Sequence, residues 1–415
     1  NDQRFAQTDN DVANYGAAIT ANLNDTWSVK TGISRQFYER QRTESNNTVY
    51  PTGAEFGYKV SDRHDEWTFD TAYVDFTGDF DAFGVNHRLL VGANGLHYDY
   101  KRLYASGYAC KNATEAEAIK ECGNGFDMPS DISYKNDTSV SHSESQHYGL
   151  YVQDLVTLNE QWQVLAGVRF AYDKTISSSD KEESYNNILP KAGLIYSPVE
   201  NGSIYAVYSE SFEPIGEITS TKDVNLGQAQ DPKKGQLYEL GSKWELFEEK
   251  LFVSGAVFQI TQSNMQVVET IDPNTTRTTQ VGEQVHTGAE LAATGYLTEA
   301  FSLSASTMFL DAEYKNDPAL EGKTPADVPE FTASIWSTYA FNNGTDVNLG
   351  VYHVGERYTE SANTFKKDAY TRVDMGVAHT FKYDENLDFV ARFNVENLFD
   401  TDYLECGSTS GVVGG

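Results

Sequence analysis

The chain has 415 residues, 39% of them hydrophobic, with 32 Gly and only 10 Pro. Its mean hydropathy of -0.51 makes it too polar for a bundle of membrane helices, and its apolar content is too high for a disordered chain. No segment reaches the roughly 18 consecutive apolar residues of a transmembrane helix. The net charge of -30, from 31 basic and 61 acidic residues, argues against a nucleic-acid partner, because phosphate binding needs clustered Lys and Arg. The 26 Tyr, 22 Phe and 5 Trp are the first positive sign, since amphipathic rings girdle membrane barrels at both lipid interfaces.

The chain opens at Asn1 with neither a basic nor an apolar leader, so a secretory signal is expected outside this sequence. From there, segments of period-two alternation follow one another. The pattern predicts strands over 12–22, 26–40, 65–78, 84–101, 146–157, 162–174, 188–197 and 202–212. It continues with 236–246, 251–262, 284–296, 301–314, 329–340, 346–356, 370–382 and 389–404. Within 162–174, Val164, Ala166, Val168, Phe170 and Tyr172 share one face. In 301–314, Phe301, Leu303, Ala305 and Phe309 oppose Ser302, Ser304 and Ser306. Near the end, Phe389, Ala391, Phe393 and Val395 oppose Arg392, Asn394 and Glu396. Many of these segments reach the about 9–11 residues of a tilted membrane crossing.

The connections alternate strictly in length. Short ones fall at 22–25, 78–83, 158–161, 198–201, 247–250, 297–300, 341–345 and 383–388. Long ones fall at 41–64, 102–145, 175–187, 213–235, 263–283, 315–328 and 357–369. Tight turns at one end of an antiparallel meander and long loops at the other are the pattern of an outer-membrane barrel, all-β and transmembrane. A propeller or a sandwich does not keep this alternation through about sixteen strands. The tail after Tyr403 reads as a loop, and an unpaired edge is not tolerated in lipid. The chain is therefore expected to be an incomplete barrel.

Cysteine use is sparse. Cys110 and Cys122 flank a polar segment and are expected to form a disulfide in an oxidising compartment rather than a metal site, while Cys406 has no partner in the visible chain. The eight histidines show no metal-binding spacing, and His142 and His147 read as exposed loop residues at a strand start. Asp311 with Glu313, and Glu239 with Glu245, repeat on one strand parity and read as a hydrated lumen wall. No carboxylate pair, triad, phosphate loop or nucleophile elbow stands out, so no enzymatic activity is expected.

Several segments together resemble the TonB-dependent siderophore receptors, in particular their ferrichrome-type branch. They are Gly149-Leu-Tyr-Val-Gln-Asp154, Ser209-Glu-Ser-Phe-Glu-Pro214 and Gly235-Gln-Leu-Tyr-Glu-Leu-Gly-Ser-Lys-Trp244. Two more are Gly322-Lys-Thr-Pro-Ala-Asp-Val-Pro-Glu-Phe-Thr-Ala-Ser-Ile-Trp336 and Val395-Glu-Asn-Leu-Phe-Asp-Thr-Asp-Tyr403. The resemblance implies a barrel of about 22 strands around an N-terminal plug. The visible strands would be the sixth to the twenty-first, with the plug, its TonB box, the first five strands and the last strand outside this chain. It also implies a downstream disulfide partner for Cys406, although the position six residues on is Val412.

What the resemblance implies about function is active uptake of a ferric siderophore, driven by the TonB-ExbB-ExbD complex, by a monomer among outer-membrane lipid and lipopolysaccharide. No resident cofactor or metal is expected, because the siderophore already fills the iron shell with oxygen donors. By position, the segments that supply ligand aromatics in ferrichrome-type receptors correspond here to Tyr50, Phe56 and Tyr58, then Tyr104 and Tyr108. Each has an alternative place in the interfacial girdle or in loop packing. Competing functions are a passive porin, or TonB-dependent uptake of haem, cobalamin or a glycan.

Overall fold

A computed structural model describes residues 7–49, 56–108, 133–134, 139–177, 181–385, 387–408 and 411–414. Among these residues there is no helix, and sixteen strands have eight residues or more. They form two compact units.

The first unit comprises Asn1–Asp79, Leu89–Val152 and Arg169–Ile188. It begins with β1 (Gln7–Asn22), β2 (Trp27–Val49) and β3 (Phe56–Ala82), antiparallel and in unbroken register from Gln7↔Thr43 to Asn22↔Ser28 and from Trp27↔Gly78 to Val49↔Phe56. The β1–β2 turn is closed by Asn24, whose Oδ1 accepts from the backbone N–H groups of Thr26 and Trp27, both at 2.9 Å. Further strands are β4 (Val85–Tyr108), β5 (Ser139–Thr157), β6 (Trp162–Ile176) and β7 (Glu182–Val199).

Register puts Tyr15, Ala17 and Ile19 on one face with Val29, Ile33, Val74 and Phe76, and Lys30, Gln36, Tyr73 and Asp75 on the other. Ile33 is 66% and Ile19 64% exposed, so the apolar face is solvated by something other than water: leaving such side chains wet forfeits about 25 cal/mol per Å². Lipid meets that requirement. On this apolar parity, a charged row ends the hydrophobic band. Arg35 forks onto Asp70 at 2.5 and 2.6 Å, and His97 Nε2 lies 3.0 Å from Glu144. Beyond the row, toward the long connections, stand Glu39, His64 and Glu66.

Two expectations are corrected in this unit. The stretch 41–64 is largely strand, since β2 runs on to Val49 and β3 starts at Phe56. At 23 and 27 residues these strands overshoot the about 9–11 that a crossing needs, and beyond the lipid both faces are wet, so the alternation that marks a strand disappears. His142 and His147 are not loop residues either. They sit on β5, His142 Nε2 lying 2.7 Å from Asp99 and His147 Nδ1 pairing with Asp173.

The second unit comprises Phe80–Arg88, Gln153–Val168 and Leu189–Gly415. From Leu189 onward β7 is followed by β8 (Gly202–Glu213), β9 (Lys233–Leu246), β10 (Leu251–Asp272), β11 (Thr275–Thr298) and β12 (Phe301–Lys315). Then come β13 (Phe331–Ala340), β14 (Thr345–Val354), β15 (Tyr370–Lys382) and β16 (Asp388–Val395). Each is antiparallel to the next, an unbroken meander.

Its apolar face carries Leu240, Val257, Ala289 and Phe309 in register, with the Phe309 ring packed at a tilt against Phe331. The opposite face is hydroxylated and acidic. Tyr205 donates to Glu239 at 2.7 Å, Ser306 meets Ser334 at 2.8 Å, and Thr338 donates to Asn348 at 2.7 Å. Glycines let rings lie flat on this sheet: a Cβ added at Gly241 would collide with the Tyr205 ring, and one at Gly202 with Trp244.

Three expectations are corrected here. The stretch 263–283 is a hairpin extension of β10 and β11, Thr-rich on both faces and therefore without a period-two signal. Asp311 and Glu313 share the parity of Phe309 and do not line the polar face. They lie beyond Phe309 toward the long connection, where the apolar face has left the hydrocarbon. The last long strand stops at Val395 rather than 404, because Asn397 and Asp400 take positive φ of 51° and turn the chain out of the ladder.

Two long connections are pinned at their bases. Asp223 is buried and accepts from Thr278 Oγ1 at 2.7 Å, Thr276 Oγ1 at 3.1 Å and the Asn225 N–H at 2.8 Å, tying the 214–232 segment to the β10–β11 extension. Asp327 pairs with both Lys367 and Arg357, and Arg357 also donates to the Leu404 carbonyl at 2.7 Å.

Candidate functional site

On the polar face of β2, β3 and β4, beyond the charged row, the first unit builds a wall of aromatic and guanidinium groups. It grows from residues two apart: Tyr38, Arg40 and Arg42 on β2; Arg63, Asp65, Trp67 and Phe69 on β3; Tyr98, Tyr100, Arg102 and Tyr104 on β4. Period-two projection places each set on one face, and the register opposes Tyr38 to Trp67, Arg40 to Asp65 and Arg42 to Arg63.

Asp65, only 1% exposed, organises the wall. A buried carboxylate is tolerated only when it is paired and hydrogen-bonded. Arg40 Nη2 donates to its Oδ2 at 3.0 Å, and the Tyr100 hydroxyl donates to its Oδ1 at 2.7 Å. The Arg40 guanidinium also lies 4.8 Å over the Trp67 ring. Trp67 in turn stacks between Tyr38, at 4.8 Å between centroids, and Tyr100, at 5.2 Å. Tyr98 packs at a tilt against Phe69, at 5.0 Å between centroids, and the Tyr38 hydroxyl donates to Asn10 at 2.6 Å. Outermost, Arg63 sits 5.2 Å over the Tyr104 ring.

Such a wall offers flat π-faces held rigid by stacking and N–H donors arranged in forks. It suits a planar, oxygen-rich ligand. Among the described residues, no group of three or more His, Cys, Asp or Glu is placed to hold a bare metal ion.

Of the residues expected from sequence, Tyr104 belongs to this wall. Phe56 and Tyr58 open β3, opposite Val49 and Asn47, and Tyr108 closes β4 opposite Ser133, so their backbones lie at the same strand ends. Tyr50, Cys110 and Cys122 lie outside the described residues. Sequence reading missed Tyr38, Arg40, Asp65, Trp67 and Tyr100. The signal was present as alternation, Tyr98, Tyr100, Arg102 and Tyr104 each being two residues apart, yet nothing in one strand says that its neighbour brings Asp65 and Trp67 alongside.

Residues 1–398 match the family model described as TonB dependent receptor-like, beta-barrel. The metal-pseudopaline receptor CntO of Pseudomonas aeruginosa is 26% identical over 419 residues, covering 96% of this chain and 56% of that protein. The ferrichrome outer membrane transporter/phage receptor of Escherichia coli is 30% identical over 288 residues, covering 66% of this chain and 37% of that protein. Among solved structures, the siderophore receptor PiuA from Acinetobacter baumannii superimposes with a TM-score of 0.81 at 20% identity, covering 96% of this chain and 62% of the other. The ferric-catecholate import receptor Fiu from Escherichia coli gives 0.82 at 18% identity, covering 99% and 63%. The chain thus spans about half the length of the curated relatives it matches. An unbroken antiparallel meander with one lipid-suited face, matched in fold and over nearly its whole length in sequence, places this chain in the family of TonB-dependent receptor β-barrels of the outer membrane.

Proposed function

We propose that the chain is the barrel portion of a receptor that imports a ferric siderophore by TonB-dependent active transport. The observation that carries this reading is the aromatic and arginine wall around Trp67 and Asp65, on the face that such barrels turn inward and beyond the lipid-suited band. It is supported by the relatives, two of which are siderophore receptors by name. Iron is then cargo inside the siderophore's own oxygen shell, not a resident cofactor. Energy comes from the TonB-ExbB-ExbD complex acting on segments outside this chain. The barrel works as a monomer among outer-membrane lipid and lipopolysaccharide.

The test is uptake of radioactive iron, supplied as purified ferric siderophores, by cells that carry or lack the intact gene. Uptake is expected to require both the gene and an energised TonB system. Gene-dependent uptake that persists without TonB would identify a passive pore. Stimulated uptake of haem, cobalamin or a glycan, with none of iron, would move the protein to another cargo.

A further inference from the structure

β10 and β11 pair in unbroken register from Leu251↔Gly295 to Gln262↔Gln284, and there the ladder breaks. Asn264 takes a φ of 59°, and the register shifts on both sides of Met265. Beyond the break the ladder resumes at Val267↔Thr279 as a two-stranded ribbon outside the lipid, a structure of marginal stability by itself in water.

The 214–232 connection lies along this ribbon and adds to it. The Thr276 N–H donates to the Lys222 carbonyl at 2.9 Å, the Val224 N–H donates to the Thr276 carbonyl at 3.0 Å, and Asp223 bridges Thr276 in parallel. Side chains close the same seam: the buried Asp223 carboxylate accepts from the hydroxyls of Thr276 and Thr278, and Asn225 Nδ2 donates to the Thr278 carbonyl at 2.9 Å. Each segment also buries an apolar side chain, Ile218 from the connection and Val267 from the ribbon. Level with the break, Asn264 Nδ2 donates to the Pro232 carbonyl at 2.9 Å and Gln280 Nε2 to the Asp231 carbonyl at 2.6 Å. The two segments are therefore stitched to each other just where the ladder below them is interrupted.

We propose that residues 214–232 and 265–282 form one cooperative tab, locked by Asp223, that opens as a unit at the Asn264 break while the strands below stay paired. A plain hairpin frays from its tip; here the seam ties the tip to a second segment, and both are released together or not at all. The moving part at this rim is then a pair of connections rather than a single loop, whatever the cargo.

The test is native-state hydrogen exchange on the intact purified protein in lipid vesicles, read by mass spectrometry of its peptides. In the wild type, hydrogen-bonded amides of 218–228 and of 267–279 should share one opening equilibrium, with a step in protection at 262–265. Asp223→Ala should accelerate exchange in both segments together by about tenfold to a hundredfold, the range for losing hydrogen bonds to a charged acceptor. Exchange in 251–261 should stay unchanged, which also shows that the variant is folded. If the variant does not fold, the step in the wild-type profile decides alone. Protection that declines smoothly toward Asn274, acceleration confined to one segment, spread of the effect to 251–261, or no response to Asp223→Ala would overturn the proposal.

Discussion

At the scale of single residues, buried charge decides the outcome. Asp65 holds Arg40 and Tyr100 together from an almost fully buried position, so Asp65→Asn keeps the shape but leaves the Arg40 guanidinium without its counter-charge. Breaking one side of a buried pair costs about 3 kcal/mol. The expected outcome is a corresponding drop in urea-unfolding free energy in lipid vesicles, together with weaker ligand quenching; unchanged stability would mean that water already screens the pair. Asp327 gives a pH signature. Burial alone would lift its carboxyl, but the hydrogen bond and charge of Lys367, then those of Arg357, outweigh burial and hold its pKa below the usual carboxylate value. Because the folded value lies below the unfolded one of about 3.9, this stabilisation is complete above that pH and is lost as pH falls through the folded pKa. Thermal unfolding between about pH 5 and about pH 3 should therefore be less acid-sensitive in Asp327→Asn than in the wild type. Identical acid profiles would remove Asp327 from this role.

Elements were legible where water and lipid compete for the two faces of a strand, and blurred where they do not. Val164, Ala166, Val168, Phe170 and Tyr172 share an apolar face, while Gln163, Arg169 and Asp173 fall on the other, and β6 lies where that pattern predicts. The upper parts of β2, β3, β10 and β11 are strand for a different reason, backbone pairing between wet ribbons, and their sequences carry no periodic mark. β16 also ends earlier than the periodicity predicts, because the left-handed Asn397 and Asp400 turn the chain out of the ladder. Asn397 holds φ at 51°, donates to the Thr401 carbonyl at 3.0 Å and accepts from the Thr401 N–H at 2.9 Å. Asn397→Ala keeps a Cβ in a left-handed conformation that costs about 1–2 kcal/mol and deletes both bonds, whereas Asn397→Gly deletes the bonds but removes that cost. The Ala variant should have the lower unfolding midpoint, and equal midpoints would show that backbone strain is unimportant here.

For the whole molecule, the alternation of turn and loop lengths read from sequence predicts an orientation that the family shares: tight turns on the periplasmic side, long connections outside. Lys222 lies exposed in the 214–232 connection, and Lys250 closes the tight turn before β10. A cysteine at Lys222 should react with a membrane-impermeant maleimide on intact cells, while one at Lys250 should react only after the outer membrane is permeabilised. The reverse pattern would invert the topology. The sequence by itself determined the fold class, the strand count and the family, because these follow from local periodicity, connection length and short motifs, all of which are written along one dimension. Only the tertiary structure decided the site. Arg40 with Asp65, and Trp67 between Tyr38 and Tyr100, are pairs 25 to 33 residues apart whose meeting depends on register, and register belongs to the ladder between strands rather than to any strand alone.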